Sequence, residues 1–324
     1  MVADIAEEGL ASGGLSGRIL TTLHLADRRG YGMSLTHLSR MLIHGEAAEE
    51  EVGRELNGML EVSNLDGIYC MKGREHLIPE TRRRLLRNGI VGKKYEAEAR
   101  RFAGEYASLC PFIRCIAIAG SVASDGFSEE DDIDFNIFVE QDCKYTVYLL
   151  GILLSLRYSL RHRKKPLAKK AATPLLPKLI CINVIWEYGE TFPFSRRDKY
   201  LAYELLRQKP VFGFGFYNQV LESNRWLESY FPQIYRKPSC EVKINKSLLG
   251  KLLRLAYSIP LAACIGERIC KEISYFLWKL VQFSRRKNPE AIERVKWVTD
   301  MQRPYALFDE PERYTSILNV IKIR

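Results

Sequence analysis

The sequence contains no paired-cysteine motif of the kind that binds zinc. Eight cysteines are spread over 324 residues, none forms a Cys-x-x-Cys pair, and no histidine lies at zinc-finger spacing from them. Most lie in apolar stretches, such as Cys181 within Leu-Ile-Cys-Ile-Asn-Val. This usage is typical of reduced cysteines in the core of a cytoplasmic protein rather than of a disulfide framework.

Long hydrophobic runs are also missing. The longest uncharged apolar stretches, Tyr145–Leu156 and Leu255–Gly266, are too short to span a bilayer. The first eight residues, Met-Val-Ala-Asp-Ile-Ala-Glu-Glu, are acidic and lack an apolar core, so they predict no signal peptide. The sequence shows no internal repeat and no low-complexity tract. We therefore expect a cytoplasmic chain without a transmembrane segment.

Acidic residues are outnumbered by basic ones. The chain has 49 Lys and Arg against 39 Asp and Glu, a net charge of +10 and a pI near 9.1. This balance favours a polyanionic partner or a phosphate-bearing substrate, and charge alone does not separate the two. A length of 324 residues and a hydrophobic content of 47% predict two or three domains with cores of their own.

The most informative stretch is Ile118–Val139. An apolar strand enters a Gly-Ser turn, an acidic loop follows, and a second apolar strand carries two carboxylates. Asp132 and Asp134 are separated by one residue, so their side chains share one face of that strand. Two such carboxylates repel each other unless a cation lies between them, and their oxygens suit Mg²⁺ with substrate phosphates completing its shell. The alternative is an acidic loop whose carboxylates are merely solvated.

This stretch resembles the DNA polymerase β-type nucleotidyltransferase superfamily, whose small members include minimal and aminoglycoside-modifying enzymes. The resemblance rests on Gly120-Ser121, the interval from Gly120 to Asp132, and Asp132-x-Asp134. It implies that Gly120 and Ser121 bind the phosphates of an NTP, and that Asp132 and Asp134 are catalytic and hold one or two Mg²⁺ ions. Glycine allows close approach, and backbone N–H groups with the serine hydroxyl donate to phosphate oxygens.

A third carboxylate is missing from the strand predicted at Leu179–Trp186. The resemblance implies an acidic residue there that binds metal and helps to deprotonate the acceptor, but the polar residue is Asn183. We assign Asn183 to the catalytic site as a metal or hydrogen-bond ligand, because an amide cannot act as a general base. Glu187 and Glu204 are candidate bases. The alternatives are an acceptor that needs no base, a weakly held second metal, lost catalysis, or a buried structural amide.

A basic run follows the second motif strand. It comprises Arg157, Arg161, Arg163, Lys164, Lys165, Lys169 and Lys170, with no acid between them. Such a run can bind a triphosphate or an anionic acceptor such as tRNA, and we assign Lys164 and Lys165 to nucleotide binding. A solvated loop is the alternative for at least part of the run.

The chain before the motif divides into three parts. Residues 1–15 predict a loose arm, residues 16–78 resemble a winged helix with a hairpin around Lys72-Gly73, and residues 79–108 predict a connecting helix. The third helix of the winged-helix-like domain, from Glu49 to Leu60 or beyond, is acidic apart from Arg54. This acidity argues against tight binding in a DNA groove and favours a docking or dimerisation module.

The predicted fold class is α/β (α+β). A small mixed-sheet nucleotidyltransferase core spans 109–194, with strands at 112–119, 133–139 and 179–186, and a helical C-terminal domain spans 195–324. The predicted C-terminal helices are Asp198–Gln208, Tyr217–Tyr230, Lys246–Ser258, Gly266–Arg286 and Pro311–Ile323. The amphipathic stretch Leu252–Trp278 is rich in Lys and Arg and could lie on a membrane surface, but we expect it to pack in the core.

Together these features predict a Mg²⁺-dependent nucleotidyltransferase that moves an NMP from an NTP to a small molecule, a protein or tRNA. Nucleic acid is a conceivable partner but is not required. The alternative is a non-catalytic nucleotide- or nucleic-acid-binding regulator built on a degenerate core. A third interpretation is a toxin-type transferase that modifies tRNA or protein, supported only by the basic run. The sequence does not identify the acceptor, the nucleobase or the oligomeric state.

Overall fold

The structure, a computed structural model, is mixed α/β and describes residues 14–165, 178–235 and 241–285. The helices are α1 (Gly14–Asp27), α2 (Leu35–Arg40), α3 (Glu49–Leu56), α4 (Leu77–Leu109), α5 (Gly120–Ala123), α6 (Lys144–Arg161), α7 (Tyr188–Thr191), α8 (Lys199–Arg207), α9 (Phe214–Ser223), α10 (Trp226–Tyr230), α11 (Leu248–Tyr257) and α12 (Pro260–Arg285). The strands are β1 (Met33–Ser34), β2 (Val62–Leu65), β3 (Ile68–Met71), β4 (Ile113–Ala119), β5 (Ile133–Val139), β6 (Ile180–Glu187) and β7 (Lys209–Phe212). The predicted arm lies almost wholly outside these residues, and so does the helix predicted at Pro311–Ile323.

The four strands β4 to β7 form the central sheet, in the order β6-β5-β4-β7. Strand β4 is antiparallel to both β5 and β7, whereas β5 and β6 are parallel and are joined by a crossover through α6. The strands predicted at 112–119, 133–139 and 179–186 are confirmed to within a residue or so at each end. Strand β7 was not predicted, because its four residues include Pro210. Proline lacks a backbone N–H and therefore weakens the signal for a strand, although an edge strand such as β7 tolerates it.

Each face of this sheet packs against its own hydrophobic core. On one face, Ile118, Phe135 and Ile137 pack with Phe102 of α4 and Tyr158 of α6. The Phe102 ring lies 5.0 Å from that of Phe135 and 5.3 Å from that of Tyr158. The predicted connecting helix is therefore a wall of the sheet, and its buried face is continuous with the motif strands.

The opposite face of the sheet shares one core with the N-terminal elements. Phe138 and Trp186 belong to the same buried cluster as Ile19 of α1, Leu38 of α2 and Leu206 of α8. Hydrogen bonds reinforce this packing: His44 N donates to Tyr230 O at 2.6 Å, and the side-chain Nε2 of Gln233 donates to Leu42 O at 2.7 Å. The N-terminal segment thus packs through a hydrophobic surface onto α8–α10.

Replacing Phe138 with Ala tests this shared core. The Phe138 ring is fully buried, 4.8 Å from Trp186 and 5.8 Å from Tyr217, so the substitution should lower the free energy of unfolding by about 3–5 kcal/mol. Urea denaturation measures it, with Leu86→Ala on the exposed side of α4 as the matched control, expected within about 0.5 kcal/mol of the parent. Equal effects of the two substitutions would contradict the packing described.

Two predicted elements differ from the structure for local reasons. The hairpin turns at Asp66-Gly67 and not at Lys72-Gly73, and both turn residues have positive φ, +54° and +76°. An Asp-Gly pair is a favoured two-residue hairpin turn. The helix predicted over Tyr217–Tyr230 is interrupted at Asn224, whose buried amide bonds to the backbone of Phe194, Thr191 and Val220. A side chain committed to backbone groups in this way replaces the helical hydrogen bonds of one turn.

The expectation that Leu252–Trp278 packs in the core is wrong for one whole side of this stretch. Leu252, Leu255, Ile265 and Ile269 are all exposed. Among the described helices, none alone is long and apolar enough to cross a membrane. Leu248–Tyr257 and Pro260–Leu277 pass the same test only as a pair, bent by 114° at the break between them.

Candidate active site

The Gly-Ser turn and the second aspartate are in direct contact. Strand β4 ends at Ala119, which is paired in register with Asp134 on β5, and Gly120 follows with a φ of +64°. A Cβ atom on Gly120 would lie 3.0 Å from Cγ of Asp134 and closer still to its Oδ2. Only glycine fits between the turn and this carboxylate, and it also tolerates the left-handed conformation. Ser124 Oγ, donating to Gly120 O at 2.9 Å, closes the turn.

Asp132 and Asp134 lie together at the N-terminal end of β5, near a third polar side chain. Their carboxylate oxygens and the Cys181 sulfur all lie within 4.8 Å of one another, and all three residues are partly exposed. Cys181 is the register partner of Asp134 across the parallel β5–β6 pair. The structure therefore places Cys181, and not Asn183, opposite the second aspartate.

Asn183 lies further along the sheet in a partly buried row of polar side chains. Its Nδ2 donates to Oδ1 of Asn136 at 3.0 Å, and Asn136 Nδ2 donates to Gln208 Oε1 at 2.9 Å. Asn136 is fully buried and is two residues, or about 7 Å, from Asp134. Asn183 therefore contacts Asn136, away from the pair formed by Asp134 and Cys181, and its assignment to the catalytic site stays a prediction.

The two candidate bases have different positions. Glu187 is paired with Val139, five residues and about 17 Å along β5 from Asp134, and its side chain caps α7. Glu204 reaches the polar row, 3.4 Å from Asn136 Nδ2, and forms an ion pair of 2.6 Å with Arg29 of the N-terminal segment. Glu187 is therefore distant from the aspartates, and Glu204 is near Asn136 but committed to a cation.

Two lysines, Lys178 and Lys165, lie near Asp132. Lys178 Nζ lies 2.8 Å from Asp132 Oδ2, and Lys165 Nζ donates to the carbonyl oxygens of Glu130 and Lys178 at 3.2 and 3.3 Å. Desolvation by neighbouring groups lowers the pKa of the Lys178 ammonium, but the adjacent Asp132 carboxylate opposes this, and the pKa lies above its usual value. Burial lowers the pKa of Lys165, and Asp132 and Asp131 partly oppose the shift.

The other residues of the predicted basic run do not lie together at Asp132. Lys164 is exposed on the turn after α6, and Arg157 and Arg161 lie 3.4 and 3.8 Å from Glu105 on α4. Lys169 and Lys170 lie outside the described residues. Of the two lysines assigned to nucleotide binding, the structure brings Lys165 beside the loop that precedes Asp132.

Three further residues near this loop were not predicted. Arg84 of α4 forms a two-pronged ion pair with Asp131, at 2.6 and 3.2 Å, and donates to Gly126 O at 3.3 Å. Arg207 of α8 hydrogen-bonds to Ser124, and its guanidinium lies 5.1 Å from the Tyr31 ring centroid. Lys209 pairs with Asp125 at 3.0 Å. Arg84 holds the residue that precedes Asp132, so the position of Asp132 depends on this arginine, whereas the exposed Lys209–Asp125 pair contributes little.

The donor set fits a divalent cation completed by phosphates. Two carboxylates are the protein ligands that Mg²⁺ commonly uses when substrate phosphates supply the rest of its shell. The Cys181 thiol is a softer ligand that suits transition metals better. Burial first, and then Asp132 and Asp134, raise the pKa of this thiol to about 12, so it is neutral at physiological pH. Of the three side chains, the two carboxylates are the ones suited to Mg²⁺, and that of Asp132 is also paired with Lys178.

No family model, no curated protein and no solved structure matches this chain.

Proposed function

We propose that this chain is a Mg²⁺-dependent nucleotidyltransferase that transfers an NMP from an NTP to an acceptor. The observation that carries the proposal is the contact between the Asp134 carboxylate and Gly120. Because of this contact, a metal held by Asp132 and Asp134 would lie beside the turn that the motif resemblance assigns to phosphate binding. Adjacent sites for metal and phosphate are what phosphoryl transfer requires.

Each residue has a role that follows from its chemistry. Asp132 and Asp134 would hold Mg²⁺, which when bound neutralises charge on the attacking and leaving oxygens. Ser121 would donate its N–H and hydroxyl to the phosphates, and Lys165 would add positive charge near the triphosphate. The acceptor oxygen or nitrogen attacks the α-phosphorus, the bond to pyrophosphate breaks, and the acceptor proton passes to water. Neither the Asn183 amide nor the neutral Cys181 thiol is suited to take that proton.

We also propose a role for each part of the fold. The sheet β4–β7 with α4 and α6 would be the transferase core, followed by a helical C-terminal region. Helices α1–α3 with the three-stranded sheet β1-β3-β2 have the element order expected of a winged-helix-like domain. Their hydrophobic packing onto α8–α10 supports a docking role within the chain. Glu49, Glu50 and Glu51 on α3 give no support to a nucleic-acid surface.

A non-catalytic nucleotide-binding regulator is the second candidate. The observation in its favour is that Lys178 already supplies a positive charge to Asp132, and that Cys181 stands opposite Asp134 where a third carboxylate would complete a two-metal site. In this second function the fold would bind an NTP without transferring its NMP.

Label transfer from α-³²P NTPs distinguishes the two candidates. The full chain is incubated with each of the four NTPs, Mg²⁺ and a cell extract as the acceptor pool. A nucleotidyltransferase should deliver label to an acceptor only with Mg²⁺, and Asp132→Ala should abolish the transfer. If no NTP is consumed with any acceptor pool while NTP binding survives, the regulator is the correct function.

Replacing Cys181 with Asp should strengthen the metal site. A third carboxylate opposite Asp134 adds a hard oxygen ligand, so Mg²⁺ affinity should rise about tenfold, which is about 1.4 kcal/mol of added stabilisation at saturating Mg²⁺. The difference in Tm with and without Mg²⁺ measures this gain. Cys181→Ser is the matched control and should behave like the parent. An equal Mg²⁺ response in both variants would place the metal elsewhere.

A further inference from the structure

The last described helix exposes a continuous apolar stripe. Leu261, Ile265, Ile269, Ile273, Phe276 and Leu280 recur along α12 at three- and four-residue spacing, and all are exposed, Leu261 by 70% and Phe276 by 60%. The opposite side of α12 faces the protein: Ser274 is buried, and Glu267 accepts hydrogen bonds from the backbone of Tyr145 and Thr146 on α6. The stripe is about 28 Å long, because Leu261 and Leu280 are separated by 19 steps of about 1.5 Å each along the helix.

The preceding helix carries further exposed apolar residues. Leu248, Leu252, Leu255 and Ile259 are exposed on α11 and at its end, whereas Gly250 packs against the backbone of Ser108. Within the described part of the chain, more than half of the large hydrophobic residues that are exposed lie on α11, on α12 or between them. Apolar surface concentrated in this way marks a binding site and not ordinary surface variation.

The charge around the stripe is strongly positive. From Val242 to Leu277 the sequence has six Lys and Arg but only two acids, Glu267 and Glu272, and one of the six, Arg254, pairs with Glu140. Glu267 is turned inward, as described above. Lys251 and Arg268 are exposed next to stripe residues, one helical position from Leu252 and Ile269 respectively. The apolar surface is therefore flanked by cations.

We propose that α11 and α12 bind the surface of a membrane that contains anionic lipids. The exposed stripe would enter the boundary between head groups and acyl chains, and the flanking Lys and Arg would contact lipid phosphates. The bend of 114° between the two apolar helices fits a pair that lies on the bilayer better than one that crosses it.

A second copy of the chain and the C-terminal residues 286–324 are two other candidates for covering this surface, and both fit its positive charge less well. A second copy of the chain would bring two strongly basic surfaces together, and like charges in contact are costly. Residues 286–324 contain eight Lys and Arg against six Asp and Glu, so their net charge is positive and does not complement the basic surface. Anionic lipid satisfies both the apolar stripe and the cations beside it.

Vesicle co-sedimentation of the full chain tests the proposal. Vesicles of equimolar phosphatidylcholine and phosphatidylglycerol should bind the protein, vesicles of phosphatidylcholine alone should bind it much more weakly, and added salt should reduce binding. Ile265→Glu with Ile269→Glu should lower the partition constant at least about tenfold, because the apolar stripe is interrupted by charge. Lys251→Gln with Arg268→Gln should lower it about fivefold per cation removed.

The matched control is Leu86→Glu with Ile90→Glu, which changes two exposed apolar residues on α4 and should leave vesicle binding unchanged. Circular dichroism melts check that each variant is folded. The proposal is overturned if the parent fails to bind the anionic vesicles, or if the stripe and control variants bind equally. A third outcome is a parent protein that does not bind vesicles but is dimeric, with Ile265→Glu and Ile269→Glu together making it monomeric. This outcome would show that the stripe binds a second copy of the chain instead.

Discussion

Asp134→Asn should reduce nucleotidyl transfer by at least about a thousandfold, which corresponds to about 4 kcal/mol of transition-state stabilisation. The amide keeps the size and shape of the side chain, so the contact with Gly120 and the register with Ala119 survive. What is lost is one negative charge at the proposed metal site. The loss should appear as lower turnover in the label-transfer assay and as weaker Mg²⁺-dependent NTP binding.

Asp125→Asn is the control for this substitution. Asp125 lies in the same acidic loop, is largely exposed and pairs with Lys209, but it is not part of the cluster formed by Asp132, Asp134 and Cys181. It should lose no more than about threefold in activity, because an exposed ion pair contributes little. If Asp125→Asn and Asp134→Asn had the same effect, the general negative charge of the loop, and not a metal site, would account for the activity.

Gly120→Ala should reduce transfer about a hundredfold while leaving the protein folded. The new methyl group would occupy the space of the Asp134 carboxylate, and the φ of +64° is unfavourable for alanine. The carboxylate must shift, and a displacement of about 1 Å at a catalytic group can cost about a hundredfold in rate. Backbone strain should lower the free energy of unfolding by about 1–3 kcal/mol.

Gly215→Ala is a close control for Gly120→Ala. A Cβ atom on Gly215 would enter open space, and this glycine lies in helix α9, where alanine is favoured. Its activity should equal that of the parent, with unchanged or slightly higher stability. Kinetic assays with urea denaturation of both variants separate the two effects. A Gly120→Ala variant as active as Gly215→Ala would show that the turn does not position Asp134.

The motif strands were predictable because their information is local. Alternation along Ile133–Val139 places Asp132 and Asp134 on one face, and the apolar runs on either side define the strands. The residue opposite Asp134 was not predictable, because β5 and β6 are parallel and their register depends on the crossover through α6. Asn183 was chosen as the polar residue of its strand, whereas Cys181 has the appearance of a core residue in sequence.

Contacts between segments far apart in the chain also could not be predicted from the sequence. Lys178 follows a break marked by Pro177 and showed no sign of pairing with Asp132, which lies 46 residues earlier. The amphipathic pattern of α12 indicates which side chains share a face but not what covers that face. The side that bears Glu267 packs on α6, and the side that bears Ile265 is exposed. Periodicity therefore predicted the helix, while its surroundings decided between core and surface.

The central claim is that Asp132, Asp134 and the Gly120-Ser121 turn form one metal-dependent nucleotide site. A crystal structure with Mn²⁺ and a non-hydrolysable NTP analogue tests it most directly, since Mn²⁺ gives an anomalous signal. We expect an anomalous peak within about 2.1–2.2 Å of carboxylate oxygens of both aspartates, and we expect the nucleotide phosphates to contact Ser121. Nucleotide bound elsewhere, or Lys178 still paired with Asp132 and no peak between the aspartates, would contradict it.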